Sequence, residues 1–179
     1  RVGVTMLHNQ PPAWLARYRH ITWEEGGRMG ARQDCHGLVA LILAVEKGIA
    51  LKDYSHLTLT IASTAGLDFT AEDFTRDYTP IEQGFERPFD IAVIRRPMWV
   101  DGKARRGWWH LGVVSRPGFI FHIEQTAGVI ETPFRDTSVA LGDATLLPKD
   151  VRLFRHAKLI DANADRSCAA ASALLVGQS

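Results

Sequence analysis

Among the residues able to act as a nucleophile, Cys35 has the most favourable setting. Asp34 is an N-cap residue type, and Cys35 to Glu46 reads as a helix that Gly48 ends. A cysteine just inside a helix start meets amide N–H groups and the positive end of the macrodipole, which favour thiolate over thiol. Asp34 opposes that shift, so a second positive group is needed. Gly26, Gly27 and Gly30 would let the preceding loop approach closely and leave the sulfur open to a substrate. The plain alternative is a small buried apolar cysteine. Cys168, in an Ala/Ser-rich tail with no nearby histidine, has only that plain reading.

Two of the seven histidines sit inside strand patterns, His110 in Trp-Trp-His-Leu-Gly-Val-Val and His122 in Phe-Ile-Phe-His-Ile-Glu. A polar ring there is costly unless paired. One histidine can deprotonate a thiol while a polar group on the next strand orients its ring. The two meet on one face only if their strands pair with matching parity. Placing His110 opposite His122 leaves Ser115-Arg116-Pro117 as a three-residue loop; a bulge at Gly118 is the other solution. Either way one bulge or an odd-length loop is expected between Val114 and Phe119, with His122 facing His110 and Cys35. Glu124, on the same face as His122, is the fallback orienting group. His8, His20, His56 and His156 read as surface or structural. The competing chemistry is a zinc site made of Cys35, His110 and His122, but no carboxylate cluster accompanies them, and neither metal nor cofactor is expected.

These residues need a scaffold that brings a helix start to a sheet. A short helix is expected around Ala13 to Arg19 and a loop from Glu24 to Gln33. The run Leu38 to Val45 is apolar on every face, which predicts a helix in the centre of the core. Residues 49 to 87 read as loops with one short helix near Ala71 to Phe74. Phe89 to Arg95, Trp108 to Ser115, Gly118 to Glu124, Gly128 to Thr132 and Val151 to Phe154 read as strands, with turn signals at Asp101-Gly102, Arg116-Pro117-Gly118, Thr126-Ala127-Gly128 and Leu147-Pro148. The order gives an α+β fold, a helical half followed by a meander of about five antiparallel strands.

Composition limits what such a protein does. With 179 residues, Lys+Arg 21, Asp+Glu 20 and a formal charge of +1, one domain is expected and no strong field toward nucleic acid or acidic lipid. Two cysteines make no disulfide framework. Leu38 to Val45 falls far short of the roughly 20 apolar residues of a membrane span. The first residues lack the pattern of a secretion signal, and a start at Arg1 reads as processed or as missing its first residues.

Gln33-Asp34-Cys35-His36-Gly37-Leu38-Val39, His110-Leu111-Gly112-Val113-Val114 and then His122 resemble the NlpC family of papain-like cysteine peptidases. The Trp-Glu-Glu-Gly-Gly-Arg stretch before Cys35 looks especially like the stand-alone members of phage tail and gene-transfer-agent clusters. The resemblance spans about residues 20 to 156, so 1–156 is expected to be the peptidase domain and 157–179 a tail of unknown role. It implies a papain-like fold with the cysteine helix central, and cleavage of peptide bonds in peptidoglycan stems by a tail-tip component acting in the cell wall or periplasm. Tail-tip or hub proteins would be its partners, with no nucleic acid and no membrane insertion. Carried over by position, Cys35 is the nucleophile, His110 the base and His122 the orienting residue. Trp23 falls where the family usually has an oxyanion-binding tyrosine, and the Cys35 N–H is the other donor. His36 stands where Ser or Trp is common, and Phe89-Asp90 replaces the usual Gly-Asp. Two other functions fit the same residues: a non-catalytic tail-tip protein that keeps the fold, and a thiol acyltransferase.

Overall fold

The computed structural model describes residues 10–51, 76–100, 103–134 and 146–160. The expected helix near Ala71 to Phe74, the Asp101-Gly102 turn, Cys168, His8 and His56 lie outside them. The fold is α+β, with one main helix and a mostly antiparallel sheet. In chain order the elements are β1 (Thr22–Trp23), β2 (Arg28–Met29), β3 (Arg32–Gln33), α1 (Cys35–Lys47), β4 (Tyr78–Ile81), β5 (Ile91–Val100), β6 (Lys103–Arg116), β7 (Phe119–Glu124), β8 (Gly128–Pro133) and β9 (Val151–His156). A 3-10 helix of about two turns at Ala13–Tyr18 precedes them, where a short helix was expected.

The segment read as a loop before Cys35 is instead a small sheet in the order β1-β3-β2, with β1 parallel to β3. Its strands of two residues are too short for any hydrophobic period to announce them. The main sheet has six strands in the order β4-β9-β5-β6-β7-β8. It therefore exceeds the expected five-strand meander in two respects. The last strand, β9, enters between β4 and β5, and β4 itself was unforeseen. Pro80 inside Tyr-Thr-Pro-Ile argues against a strand by sequence, yet β4 is the sheet edge, where a missing N–H costs no ladder bond.

Helix α1 starts and stops as its caps dictate. Asp34 Oδ1 accepts the Gly37 N–H at 2.7 Å, and Gly48 closes the helix at φ 66° with its N–H donating to the Ala44 carbonyl. The helix packs on β6 and β7 through Leu38, Val39, Ile42 and Leu43, which join Ile91, Val93, Val113, Phe121 and Ile123 in the larger core cluster. It is not central. Val45 is 51% exposed and Ala44 is also exposed, because a helix laid on one sheet face needs only one stripe covered, whatever its other residues are. A second cluster of Ala92, Ile94, Val114, Ile120, Phe134 and Leu146 covers the opposite sheet face. Hence β7 is buried on both faces, His122 included. Leu159, just past His156, is buried in the larger cluster.

Removing the cap tests this reading of the helix start. Asp34→Ala is expected to lower the unfolding free energy by about 1 kcal/mol, whereas Asp34→Asn, which keeps a capping oxygen, loses clearly less. Urea denaturation of the three proteins measures it, and equal losses in the two variants would assign the effect to the charge of Asp34, paired with Arg28, and not to the cap.

Candidate functional site

The loop into α1 is held by close backbone contact. A Cβ on Gly37 would lie 2.3 Å from Gln33 Oε1 and 2.4 Å from the Gly27 carbonyl, so only glycine fits two residues after the cysteine. The Asp34 N–H donates to the same Gly27 carbonyl at 3.1 Å. The Arg28 guanidinium forms an ion pair with Asp34 and also reaches the Gly27 carbonyl. Asp34 is thus cap and ion-pair partner together, and the helix start cannot drift relative to the small sheet.

Strand pairing sets the histidines. The pairing of β5 with β6 shifts between Ile94–His110 and Arg95–Trp108, leaving Trp109 as an extra residue beside His110. The pairing of β6 with β7 shifts between Val114–Ile120 and Arg116–Phe119, leaving Ser115 as the extra residue next to a tight turn at Pro117-Gly118. One bulge lies where one was expected, at Ser115 and not at Gly118. The register differs from direct opposition of the two histidines: His122 stands opposite Gly112, and His110 is its diagonal neighbour on the same face. Glycine makes this possible. A Cβ at 112 would come within 2.5 Å of Ile120 Cγ2 and 3.0 Å of His122 Cβ. With that space open, His110 Nε2 lies 2.9 Å from His122 Nδ1, with the rings edge to face.

Two groups outside the sequence assignment complete the array. His122 Nε2 is 2.8 Å from Thr132 Oγ1 on β8. Glu124 Oε1 lies 3.3 Å from His122 Nδ1 and 3.9 Å from His110 Nε2, and the Arg96 guanidinium on β5 is bound to that carboxylate. Neither Thr132 nor Arg96 stands near a histidine in sequence; only the strand order and the register bring them there.

The sulfur sits at the end of a ladder. Pairing of β6 with β7 stops at Gly112–His122, so the amide of Leu111 faces no β7 partner. The N–H groups of Leu111 and His36 are directed at Cys35 Sγ. Backbone N–H groups of a strand lie in the sheet plane. The thiol therefore sits at the opening between β6 and β7, against the residue that follows His110. Trp23 pairs with Gln33 and packs, like Cys35, at the margin of the larger cluster. Among the described residues its indole N–H makes no hydrogen bond.

Burial governs the protonation states. Cys35 is half-buried, and burial pushes its thiol up to about 11; the Leu111 N–H opposes this, the Asp34 charge adds to it, and the His36 N–H and Arg28 oppose it. Burial, with Arg96, holds His110 down at about 3. Burial, the neighbouring His110 and Arg96 hold His122 well below the usual histidine range. The resting site is thus a neutral thiol beside neutral imidazoles, not the thiolate that the helix start alone suggests. The helix end is overridden because desolvation disfavours every charged form here.

The donors that converge on one point are His110, His122 and Glu124, within 4.8 Å of one another. Cys35 is not in that group, so the Cys-His-His zinc arrangement is not the one formed. The two facing ring nitrogens are occupied with each other and Glu124 with Arg96, which leaves a cation little to bind. His20 is exposed; His156 packs edge to face on Tyr78. No family model and no curated protein matches the chain.

Two measurements follow from this geometry. Thr132→Val leaves a buried ring nitrogen without its partner and is expected to cost roughly 1–3 kcal/mol of stability, with Thr132→Ser near wild type. Histidines held neutral in the folded state but titrating near 6.5 when unfolded make the unfolded chain bind more protons as pH falls from about 6.5 towards about 3. Stability should drop over that window, by up to about 1.4 kcal/mol per pH unit for each histidine. Urea denaturation between pH 7 and pH 4 checks this; a flat profile would mean that the rings are not held neutral.

Proposed function

We propose that this chain is a papain-like thiol hydrolase of the NlpC type that cleaves peptide bonds in peptidoglycan stems. The observation that carries the reading is the placement of the Cys35 sulfur against the Leu111 amide, one residue from an imidazole fixed on its far side by His122. The peptidoglycan substrate, the tail-tip setting and docking on tail-tip or hub proteins come from the sequence resemblance.

In this reading the base is His110 Nδ1. For that nitrogen to accept a proton, Nε2 must carry one and donate it to His122 Nδ1, and His122 Nε2–H then donates to Thr132 Oγ1. The observed chain of contacts accommodates this tautomer, and the proposed base role requires it. As Cys35 Sγ attacks the amide carbonyl carbon, its proton passes to His110, and Glu124 stabilises the imidazolium that forms. The oxyanion is bound by the Cys35 N–H, a first-turn amide outside the helical ladder, with the Trp23 indole as second donor. His110 then protonates the leaving amine, the C–N bond breaks, and a thioester remains. Water, deprotonated by His110, attacks the thioester and restores the thiol. Because both resting groups are neutral, proton transfer accompanies attack and does not precede it.

Incubation with purified peptidoglycan, with new free amines measured by dinitrophenylation, tests the proposal. Release is expected from the wild-type protein, unaffected by EDTA, with a bell-shaped pH dependence whose two limbs belong to the Cys–His pair. Cys35→Ala should lower it by at least about a thousandfold, and His110→Ala by roughly a hundredfold or more, with folding retained. Full activity in Cys35→Ala, or EDTA inhibition reversed by zinc, would overturn the reading. A folded protein that releases no amines would favour a structural role, and transfer to an added amine in place of water would favour an acyltransferase.

A further inference from the structure

We propose that the ribbon formed by the far halves of β5 and β6 is a docking arm for an anionic lipid surface, with an apolar tip at Met98-Trp99-Val100 and basic residues around it. The inference goes beyond the thiol-hydrolase reading and does not depend on it.

The pairing of the sheet defines the arm. Strand β9 pairs with β5 only over residues 91–94, and β7 pairs with β6 only over residues 112–116. From Arg95–Trp108 to Val100–Lys103 the two strands pair with each other through six pairs in unbroken register and, among the described residues, with no other strand. At about 3.4 Å per residue the ribbon reaches about 20 Å past its neighbours. The buried core residues of β5 end at Ile94. A two-stranded hairpin is marginal by itself, so the fold gains little from this extension and its composition is open to another use.

That composition points to the partner. Residues 95–108 hold five basic residues, Arg95, Arg96, Lys103, Arg105 and Arg106, against one acid, Asp101. The whole chain has a formal charge of +1, so the residues outside the ribbon are net negative and the positive charge is concentrated here. Arg96 is committed to Glu124 at the root. The other four lie on both strands, and Arg95 and Lys103 are exposed. Guarding the open edges of a ribbon calls for charge of either sign, whereas here one sign dominates. The apolar triplet Met98-Trp99-Val100 runs up to the last pair, Val100–Lys103, and so stands farthest from the core. Tryptophan among cationic residues at the end of a projecting element suits a bilayer interface. The indole settles at headgroup depth, and each lysine or arginine is drawn to anionic lipid. A soluble polyanion would gain from charges along the arm, but not from Met98 and Val100 at its end. Contact of this kind lies on the surface and needs no span.

The test is co-sedimentation of the full chain with vesicles of phosphatidylcholine alone, and of phosphatidylcholine and phosphatidylglycerol in equal parts. Binding to the anionic vesicles is expected to be at least about tenfold tighter than to the neutral ones, and to weaken steeply as salt rises. Lys103→Gln/Arg105→Gln/Arg106→Gln should lower it about a hundredfold, and Trp99→Ala about tenfold. Lys103→Arg/Arg105→Lys/Arg106→Lys, which keeps every charge, should bind like wild type. The urea midpoint of each variant should match wild type, which separates loss of binding from loss of fold. Equal binding to the two vesicle types, binding to neither, anionic binding that survives in the glutamine variant, or full binding by Trp99→Ala would overturn the proposal. So would tighter binding to a DNA duplex than to the anionic vesicles, which would make the arm a nucleic-acid ribbon instead.

Discussion

The site depends on where one ladder stops. Had the pairing of β6 with β7 run one residue further, the Leu111 amide would be consumed by the sheet and the sulfur would have no seat there. It stops because the bulge at Ser115 and the glycine at 112 fix which residues of β7 face which of β6, and beyond Gly112–His122 the strands part. The same offset brings His122 over Gly112 and towards His110. One register therefore sets two things at once, the seat of the thiol and the contact between the rings.

Electrostatics then work against the simplest picture of a cysteine at a helix start. The dipole end and two amides favour a thiolate, but removal from water raises the thiol and depresses both histidines. A single charge in this place would be costly, and charges occur as partners: Arg28 with Asp34 beside the thiol, and Arg96 with Glu124 beside the rings. Glu124 lies closest to the ring-to-ring hydrogen bond, so a proton arriving on His110 meets an opposite charge already in place.

The two arginines that follow one another on β5 show how a strand divides labour. Alternation sends Arg96 to Glu124 and the buried array and leaves Arg95 exposed on the other side of the strand. The bulge at Trp109 lies in the paired strand at the same level, where a change of side-chain aim matters most.

Caps and periods gave the sequence its firmest statements. Asp34 and Gly48 bound α1 because local hydrogen bonds and a left-handed residue decide helix ends without help from the rest of the chain. Five strands and a turn signal at Arg116-Pro117-Gly118 were legible because side-chain alternation and turn chemistry are local, but the turn has two residues with a bulge at Ser115, in place of the three-residue loop or Gly118 bulge expected. Even the need for one irregularity between Val114 and Phe119 followed from parity. Tertiary structure alone decided the rest. The insertion of β9 beside β5, the edge role that admits Pro80 in β4, and the exposed stripe of an all-apolar helix depend on which neighbours arrive. Thr132 and Arg96 join the histidines through strands that no spacing links to them, and the protonation of Cys35 is set by how much water the assembled sheet excludes. Local physics named the residues able to do chemistry, and only the register of distant strands determined which of them meet.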